Sequence, residues 1–362
     1  MANLKNTKIS DTGFLQLPAG TTAERPANPQ PGMARINTDI DNVIEFWNGD
    51  DWVIAGDDFE PIQATGGTVT DIIDNGKPYR VHTFTPTGTS LFTVLTQGTI
   101  GEVDVLVVAG GGGGATTGSD TAGGGAGGLI FRPNLNVSTQ SFSITVGNGG
   151  DTNNNGQKST AFGLTAVGGG RGSTSQTDGV AGGSGGGAGR NSGVGGDGIQ
   201  PNQAGDSGTF GFGNRGGTNT GHSGTEGMGG GGAGEPAEDA INILAENRRG
   251  GDGLFEVTAS DGPYDRTYNF ASMFGAQFGE VISGQSWFAG GGGGGGERGD
   301  FTQNVGGLGG GGRGGHLDSE VSRDGAPGKP NTGGGGGGSD NNTGGAGGSG
   351  IVIVRYPLER VV

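Results

Sequence analysis

The first part of the chain alternates hydrophobic and polar residues over short stretches, which is typical of β-strands with one covered face. Between Gly32 and Gly56, in "GMARINTDIDNVIEFWNGDDWVIAG", the alternation runs through Ala34 and Ile36 and then through Val43–Trp47. The dipeptide Asn48-Gly49, between two aromatic segments, is a strong hairpin signal. We therefore expect a small β-meander near the N-terminus.

A meander of this size is marginal in water unless further strands or other chains cover it. Its large apolar residues are accordingly predicted to form core or oligomer contacts: Ile36, Val43, Trp47 and Trp52. The two tryptophans face either a subunit partner or the next domain.

Four further strands are predicted between Thr68 and Ala109, in "TVTDII", "YRVHTF", "SLFTVL" and "VDVLVVA". The last is a continuous apolar run, as expected of a strand covered on both faces. "GIVIVRY", Gly350–Tyr356, has the same character. We predict that these two strands pair or share one β-layer, so that the glycine-rich residues between them form a long excursion from a β-domain.

Glycine recurs at every third position over several stretches of that excursion. A polyproline-II helix has three residues per turn, so glycines at this spacing line one edge and let other backbones pack directly against it. The packing glycines predicted on this basis are Gly221, Gly224, Gly227, Gly230, Gly306, Gly309, Gly312 and Gly315.

Two interpretations of the excursion remain. A flexible linker is favoured by composition, because glycine loses the most backbone entropy on ordering. A linker should be uniformly polar, however, and this stretch contains strand-like islands such as Leu129–Phe131. We therefore favour an ordered bundle of polyglycine-II helices, in which nearly every inward amide must find a partner.

Two islands interrupt the glycines. Glu235–Gly251 has an early Pro236, apolar residues at helical spacing and Gly250 as a stop, which predicts a short amphipathic helix. Leu254–Phe288 concentrates aromatic residues, which form either a small core beneath that helix or an exposed contact patch.

Composition narrows the class of protein. The chain has 362 residues with 92 glycines, no cysteine and a formal net charge of −16. Such a charge repels nucleic acid phosphates and anionic membrane surfaces, so we expect no nucleic-acid binding. No apolar run is long enough to span a bilayer, and the N-terminus lacks a secretion signal, so we expect no membrane insertion and synthesis in a cytoplasm.

The sequence offers no clear catalytic or metal-binding motif. None of His82, His222 and His316 has a histidine or cysteine partner at ligand spacing, and Gly150–Thr160 lacks the adjacent Gly-Lys of a phosphate loop. Gly193–Gln200 contains only one approximate calcium-binding nonapeptide, where stacked repeats are needed. We expect a protein that is not an enzyme and has no cofactor and no metal.

Two blocks resemble known families. "GFLQLPAGTTAERPANPQPGMARINTDIDNVIEFWNGDDWV" resembles the short β-repeat of tailed-bacteriophage fibre proteins, especially those of marine cyanobacterial viruses. "VDVLVVAGGGGGA", "GGGAGGLI", "FSITVGNGG", "TAFGLTAVGGGRG" and "GGAGGSGIVIVRY" resemble, in order, the glycine-rich domain of many phage tail proteins. Similar lattices occur at the tips of T-even-type phage adhesins and in anaplastic lymphoma kinase-like receptors, and the adhesins use projecting loops for recognition.

The resemblance implies a mainly β fold: an N-terminal β-meander in a homotrimer, then a β-domain carrying a polyglycine-II bundle and one short α-helix. The implied domains are residues 1–60 for attachment and oligomerisation, 61–108 for the β-domain, 109–350 for the glycine-rich domain with an insert at 235–288, and 351–362 for the closing strand.

The function that follows is a virion structural protein, a tail fibre or adhesin bound to other virion proteins through its N-terminus. Its loops contact host carbohydrate or an outer-membrane protein. If the aromatic island is exposed, its contact residues are Tyr264, Tyr268, Phe274, Phe278 and Trp287. The alternatives are a capsid decoration protein without host recognition and a polysaccharide depolymerase.

Overall fold

We describe the protein from a computed structural model. The described residues are 16–40, 42–56, 59–116, 118, 120–191, 193–200, 210–219, 226–240, 248–261, 264–296, 301–317 and 322–360. The chain divides into two compact units, residues 1–60 with 360–362, and residues 61–359.

The N-terminal unit is a four-stranded sheet in the order β1-β2-β3-β4, with bounds Ala19–Gly20, Ala34–Asn37, Val43–Trp47 and Trp52–Ile54. The predicted hairpin is confirmed, because β3 and β4 pair antiparallel with Trp47 opposite Trp52. Asn48 begins the turn, and its side-chain oxygen accepts hydrogen bonds from the N–H groups of Asp50 and Asp51, both at 2.8 Å.

The larger unit contains two antiparallel sheets, and the strands predicted between residues 68 and 109 are all present. One sheet has the order β14-β10-β9-β19-β7-β6 and the other the order β13-β12-β11-β8-β5. The bounds are β5 Gln63–Thr65, β6 Thr68–Asp74, β7 Lys77–Phe84, β8 Gly88–Thr96, β9 Glu102–Val108, β10 Leu129–Asn136, β11 Ser141–Val146, β12 Ser159–Ala161, β13 Leu164–Ala166, β14 Gly211–Phe212 and β19 Ile351–Pro357.

The predicted pairing of the two continuous apolar strands is confirmed. β19 lies between β9 and β7, and Ile351 is opposite Val108. Alternate residues of β9 enter two different cores: Val105 and Val107 pack between the two sheets, while Leu106 and Val108 pack on the other face. Burial on both faces explains why these strands contain no polar alternation.

The second core is covered by the aromatic insert. Its strands are β15 Glu256–Asp261, β16 Tyr264–Asn269, β17 Glu280–Ile282 and β18 Gln285–Trp287, and its helix is α1 Phe270–Phe274. Asn269 caps α1 by accepting a hydrogen bond from the N–H of Ser272 at 3.1 Å. In the stretch predicted as an amphipathic helix, residues 235–240 and 248–251 are not helical, and residues 241–247 lie outside the described residues.

A buried arginine joins the insert to the sheet. Arg355 of β19 is 2% exposed and donates to Asp74 at 2.7 Å, to Asp104 at 2.8 Å and to the carbonyl of Met273 at 3.1 Å. Burial raises the pKa of Asp74, but hydrogen bonds from Arg355 and Ser272 outweigh it and hold that pKa below its ordinary value. The charge is therefore compensated where the helix meets the strands.

The glycine-rich residues form a lattice of extended segments with a repeat of three residues. In segment 109–115, N–H groups three residues apart donate to one neighbour, and carbonyls three residues apart accept from another. The donor pairs are Gly110 and Gly113 to Gln157 and Asn154, Gly111 and Gly114 to Gly348 and Gly345, and Gly112 and Ala115 to Gly125 and Ala122. The acceptor pairs are Gly110 and Gly113 from Gly169 and Gly172, and Gly111 and Gly114 from Gly150 and Asn153, while Gly112 accepts from Gly336.

This segment therefore donates to three neighbours and accepts from three others, which is the arrangement of polyglycine II. The neighbours approach too closely for side chains. A Cβ on Gly227 would lie 2.2 Å from the carbonyl oxygen of Thr121, and one on Gly230 would lie 2.1 Å from that of Gly124. Real Cβ contacts at such distances do not occur, so these positions require glycine.

The remaining predicted packing glycines divide into three groups. Gly306, Gly312 and Gly315 each face a backbone carbonyl oxygen at 2.2 Å or less from an ideal Cβ. Gly309 lies in a turn with φ +100, a backbone conformation that residues with a side chain rarely adopt, so this position also favours glycine. Gly221 and Gly224 lie outside the described residues.

Valine at position 227 tests the lattice. We expect Gly227→Val to lower the free energy of unfolding by about 3 kcal/mol or more, since the rigid backbone of Thr121 cannot move aside. Denaturant unfolding of the full chain measures this loss. Lys158→Val, at an exposed position beside the bundle, is the control and should change stability little. Equal stability of the two variants would contradict close packing at Gly227.

The buried arginine makes a second prediction. Arg355→Met leaves the buried Asp74 and the partly buried Asp104 without their cation, and we expect a loss of about 3–5 kcal/mol in the free energy of unfolding. Arg80→Met is the control, because Arg80 of β7 and Asp71 of β6 form a largely exposed ion pair in the same sheet, and its loss should cost about 1 kcal/mol or less. Thermal unfolding compares the two, and a similar loss in both would show that Arg355 contributes no more than a surface ion pair.

Candidate functional site

The bundle has a proximal end, continuous with the sheets, and a distal face. Segment 109–115 leaves β9 and segment 121–128 returns to β10, with Ala109 bonded to Gly128 at the sheet and Ala115 bonded to Ala122 at the far end. Thr121, Gly227, Gly295 and Ser339 lie at the same far level, because hydrogen bonds join them in a chain. Ser173 lies at this end as well, because it accepts a hydrogen bond from the N–H of Ala122. The described residues just beyond this level, 120, 174–177 and 340–343, therefore lie at one surface, which we call the distal face.

The distal face is polar, and ion pairs fix its turns. The carboxylate of Asp120 is fully buried and pairs with Arg190 at 3.1 Å. Arg248, also buried, pairs with Glu226 at 3.2 Å. The third pair, Arg323 with the buried Asp340 at 3.7 Å, is partly exposed.

Hydroxyl groups tie the turns to the lattice beneath. The hydroxyl of Thr121 donates to the carbonyl of Ala115 at 2.6 Å and accepts from the N–H of Ser339 at 2.8 Å. The hydroxyl of Ser339 donates to the carbonyl of Asn342 at 2.8 Å. Exposed amide and hydroxyl side chains, among them Asn341, Asn342 and Thr177, stand above this rigid base. Such an arrangement suits recognition by hydrogen bonding, since the donors and acceptors are held in place before any partner arrives.

The aromatic residues predicted to contact a receptor differ in their burial. Tyr268 and Phe274 are 4% and 0% exposed and belong to the core beneath the insert, so they cannot contact a receptor in this conformation. Phe278 packs partly against the same core, and Trp287 is half-buried beside Phe255 with ring centroids 4.5 Å apart. The side chain of Tyr264 lies outside the described residues. Of the two alternatives for the aromatic island, a small core or an exposed patch, the small core therefore describes Tyr268 and Phe274.

The N-terminal sheet presents a second surface, and its four predicted contact residues do not share one face. Ile36 pairs with Ile44, and the same face carries Ala34, Phe46 and Val53. Ile44 is 46% exposed and Phe46 is 36% exposed, so this apolar face is open to solvent. Val43, Trp47 and Trp52 lie on the opposite face, where the two indole rings are 5.9 Å apart.

That opposite face is polar at its centre. The carboxylate of Glu45 is fully buried and contacts Arg25, Arg35 and Asn37. Burial raises the pKa of Glu45, but the hydrogen bonds from Arg25 and Asn37 outweigh it and lower the pKa overall. Neither apolar core cluster includes a described residue of this unit. The face with Ile44 and Phe46 is therefore apolar and exposed, whereas the opposite face combines the two tryptophans with a buried polar cluster.

The fold and the match to a family model together show which family the chain belongs to. Two packed sheets whose strands extend into a hydrogen-bonded glycine lattice are the architecture of a glycine-rich β-domain. The family model of the glycine-rich domain matches residues 85–357, and the chain belongs to this family. A comparison with curated proteins gave no match.

Two negative observations apply to the described part of the chain. No helix there is long and apolar enough to cross a bilayer. Nor does any group of three or more histidine, cysteine, aspartate or glutamate side chains there lie close enough together to hold a metal ion.

Proposed function

We propose that this chain is a non-enzymatic structural protein of a tailed-phage virion, a fibre or adhesin that presents its distal face to the host surface. The observation that carries the proposal is the placement of the turns. A stiff lattice separates them from the sheets and holds them at one end, where their exposed polar groups are free to contact carbohydrate or an outer-membrane protein. The resemblance of the two sequence blocks to phage fibre and tail proteins supports the same assignment.

The N-terminal unit is proposed to join copies of the chain and to attach them to other virion proteins, which would place the protein in the particle after synthesis in the host cytoplasm. Its exposed apolar face supports a homo-oligomer, because a small sheet without an apolar core needs a cover to be stable. The face carries no charge, so identical copies can meet there without repulsion. A trimer is the state implied by the resemblance to fibre repeats.

Charge on the apolar face tests the oligomer. We expect Ile44→Lys to lower the molar mass of the full chain toward that of a monomer, since burying an unpaired ammonium group is costly. Light scattering during gel filtration measures the mass. Ile73→Lys is the control, because Ile73 is 68% exposed on β6 of the other unit and should leave the mass unchanged. A monomeric parent protein, or an unchanged mass for Ile44→Lys, would contradict the proposal.

Bulky substitutions on the distal face test recognition. We expect the purified protein to bind host cells and compete with phage adsorption, and Thr177→Arg with Asn342→Arg to weaken that binding about tenfold or more by blocking the contact surface. Thr87→Arg with Asn136→Arg, at exposed positions near the sheets, is the matched control.

The alternatives give different results. A capsid decoration protein would appear in many copies on the shell in electron cryo-microscopy of the virion, and the distal variants would adsorb normally. A depolymerase would release oligosaccharide from host polysaccharide. Either result would overturn the proposal.

A further inference from the structure

A polar cleft opens on the side of the bundle. Its volume is about 600 Å³. Residues 347–349 form its floor, residues 148–157 form one wall, and Gly328 with Pro330 forms the other. None of its lining residues belongs to the N-terminal unit or to the aromatic insert.

The cleft exists because the lattice ends there. Segment 344–350 has four neighbours: Gly345 and Gly348 donate to segment 333–339, Gly347 and Gly350 donate to segment 147–151, and its carbonyls accept from segments 109–115 and 325–328. The N–H groups of Ala346 and Ser349, three residues apart, have no hydrogen-bond partner among the described residues. An inner segment such as 109–115 has six neighbours, so two neighbour positions are empty at this edge.

The side chains of this segment show which way it opens. A Cβ on Gly347 would meet the carbonyl oxygen of Gly111 at 2.1 Å, and one on Gly348 would meet that of Lys329 at 2.0 Å. In a repeat of three residues, side chains point in three directions, and lattice neighbours occupy the two directions of Gly347 and Gly348. Ala346 and Ser349 point in the third direction and are partly exposed. The floor of the cleft therefore offers the free backbone N–H of Ser349, while the Ser349 hydroxyl is bonded to Asn331. The free N–H of Ala346 lies at the same edge of the lattice.

The walls add hydrogen-bonding groups of both kinds. The amides of Asn148 and Gln157 and the carboxylate of Asp151 are exposed, and no described residue bonds to them. The N–H and carbonyl of Gly149 and the carbonyl of Gly347 are likewise unpaired among the described residues. The backbone groups do not need to be ordered on binding, because Gly150, Gly347 and Gly348 are fixed by lattice hydrogen bonds of 2.8–2.9 Å.

Charge and polarity select the class of ligand. Of the described residues that line the cleft, only Asp151 is charged, and none is a large aliphatic or aromatic residue. An anionic ligand would find no cation, and an apolar ligand would leave the backbone groups unpaired at a cost. A neutral polyhydroxylated molecule fits, since each hydroxyl both donates and accepts.

We propose that this cleft is a binding site for a neutral oligosaccharide, held by Asn148, Gln157, Asp151 and the open backbone groups of Gly149, Gly347 and Ser349. The site is distinct from the distal face. It rests on the proposed attachment to a host only for the source of the sugar, not for the binding itself.

The test uses the full chain and a panel of neutral tetrasaccharides of glucose, galactose, mannose and N-acetylglucosamine, with a sialylated and a sulfated oligosaccharide for comparison. Saturation-transfer NMR and calorimetry should detect at least one neutral member with a dissociation constant in the millimolar range or below. The double variant Asn148→Ala with Gln157→Ala should weaken this binding about tenfold, the loss expected from two neutral hydrogen bonds.

Two further variants keep the result decisive. Asn136→Ala with Gln140→Ala removes the same residue types from exposed positions near the sheets and should bind as the parent does. Ala346→Arg adds a bulky side chain at the same open edge as Ser349 without deleting a polar group, and it should abolish binding while the melting temperature stays close to that of the parent.

Three outcomes would overturn the site: no neutral sugar bound at about 50 mM, well above the expected dissociation constant; binding confined to the anionic members; or binding unchanged in both cleft variants. Loss of host-cell binding in the distal variants, with sugar binding intact, would separate this site from the proposed recognition face. Normal adsorption by the distal variants would refute the proposed function and leave the cleft measurement valid.

Discussion

The structure depends on one constraint: buried peptide groups must be hydrogen-bonded, and here neighbouring peptides supply the partners that side chains and water supply elsewhere. Ordering a residue costs about 1–2 kcal/mol of conformational entropy, most of all for glycine. A typical hydrogen bond contributes about 0.5–1.5 kcal/mol net. A single glycine segment therefore gains too little to stay ordered. A segment bonded on all six sides, such as 109–115, pairs both the N–H and the carbonyl of nearly every residue and excludes water from its neighbours.

The lattice also needs a template, because bare backbones can slide past one another in steps of three residues. The sheets supply the template. Strands β9, β10, β11, β13 and β19 lead directly into or out of lattice segments, so strand register is carried into segment register. Val108 opposite Ile351 and Leu129 opposite Val108 place three segments at one level where they leave the sheet. The apolar cores beneath, and the buried Arg355 that joins the insert to the strands, fix the end from which the lattice extends.

Local pattern predicted much of the β-domain, because two-residue alternation and continuous apolar runs report burial within a single strand. The sequence did not reveal which residues of neighbouring strands lie opposite each other. Ile36 lies opposite Ile44 and not on the face of Val43, Trp47 and Trp52, because the turn between β2 and β3 sets the pairing and no residue type marks it. Tyr268 and Phe274, predicted as contact residues if the aromatic island is exposed, are buried. The surface that buries them is the outer face of β9 and β19, which lies far away in the sequence.

The period of three predicted close packing at Gly227 and Gly230 but missed a complementary signal, the residues that interrupt the glycines. In "TGGAGGSG", Thr343, Ala346 and Ser349 recur every third residue, and the structure directs Ala346 and Ser349 to the edge where no further segment packs. Elsewhere Ala126 and Ala233 stand in glycine-rich segments at positions whose side chains pack into the apolar core beneath the insert. A side chain in a glycine triplet therefore marks either a boundary with solvent or a contact with the core. Boundary positions tolerate change without disturbing the lattice, so a new surface can arise there on a scaffold whose rigidity is determined by the glycines alone.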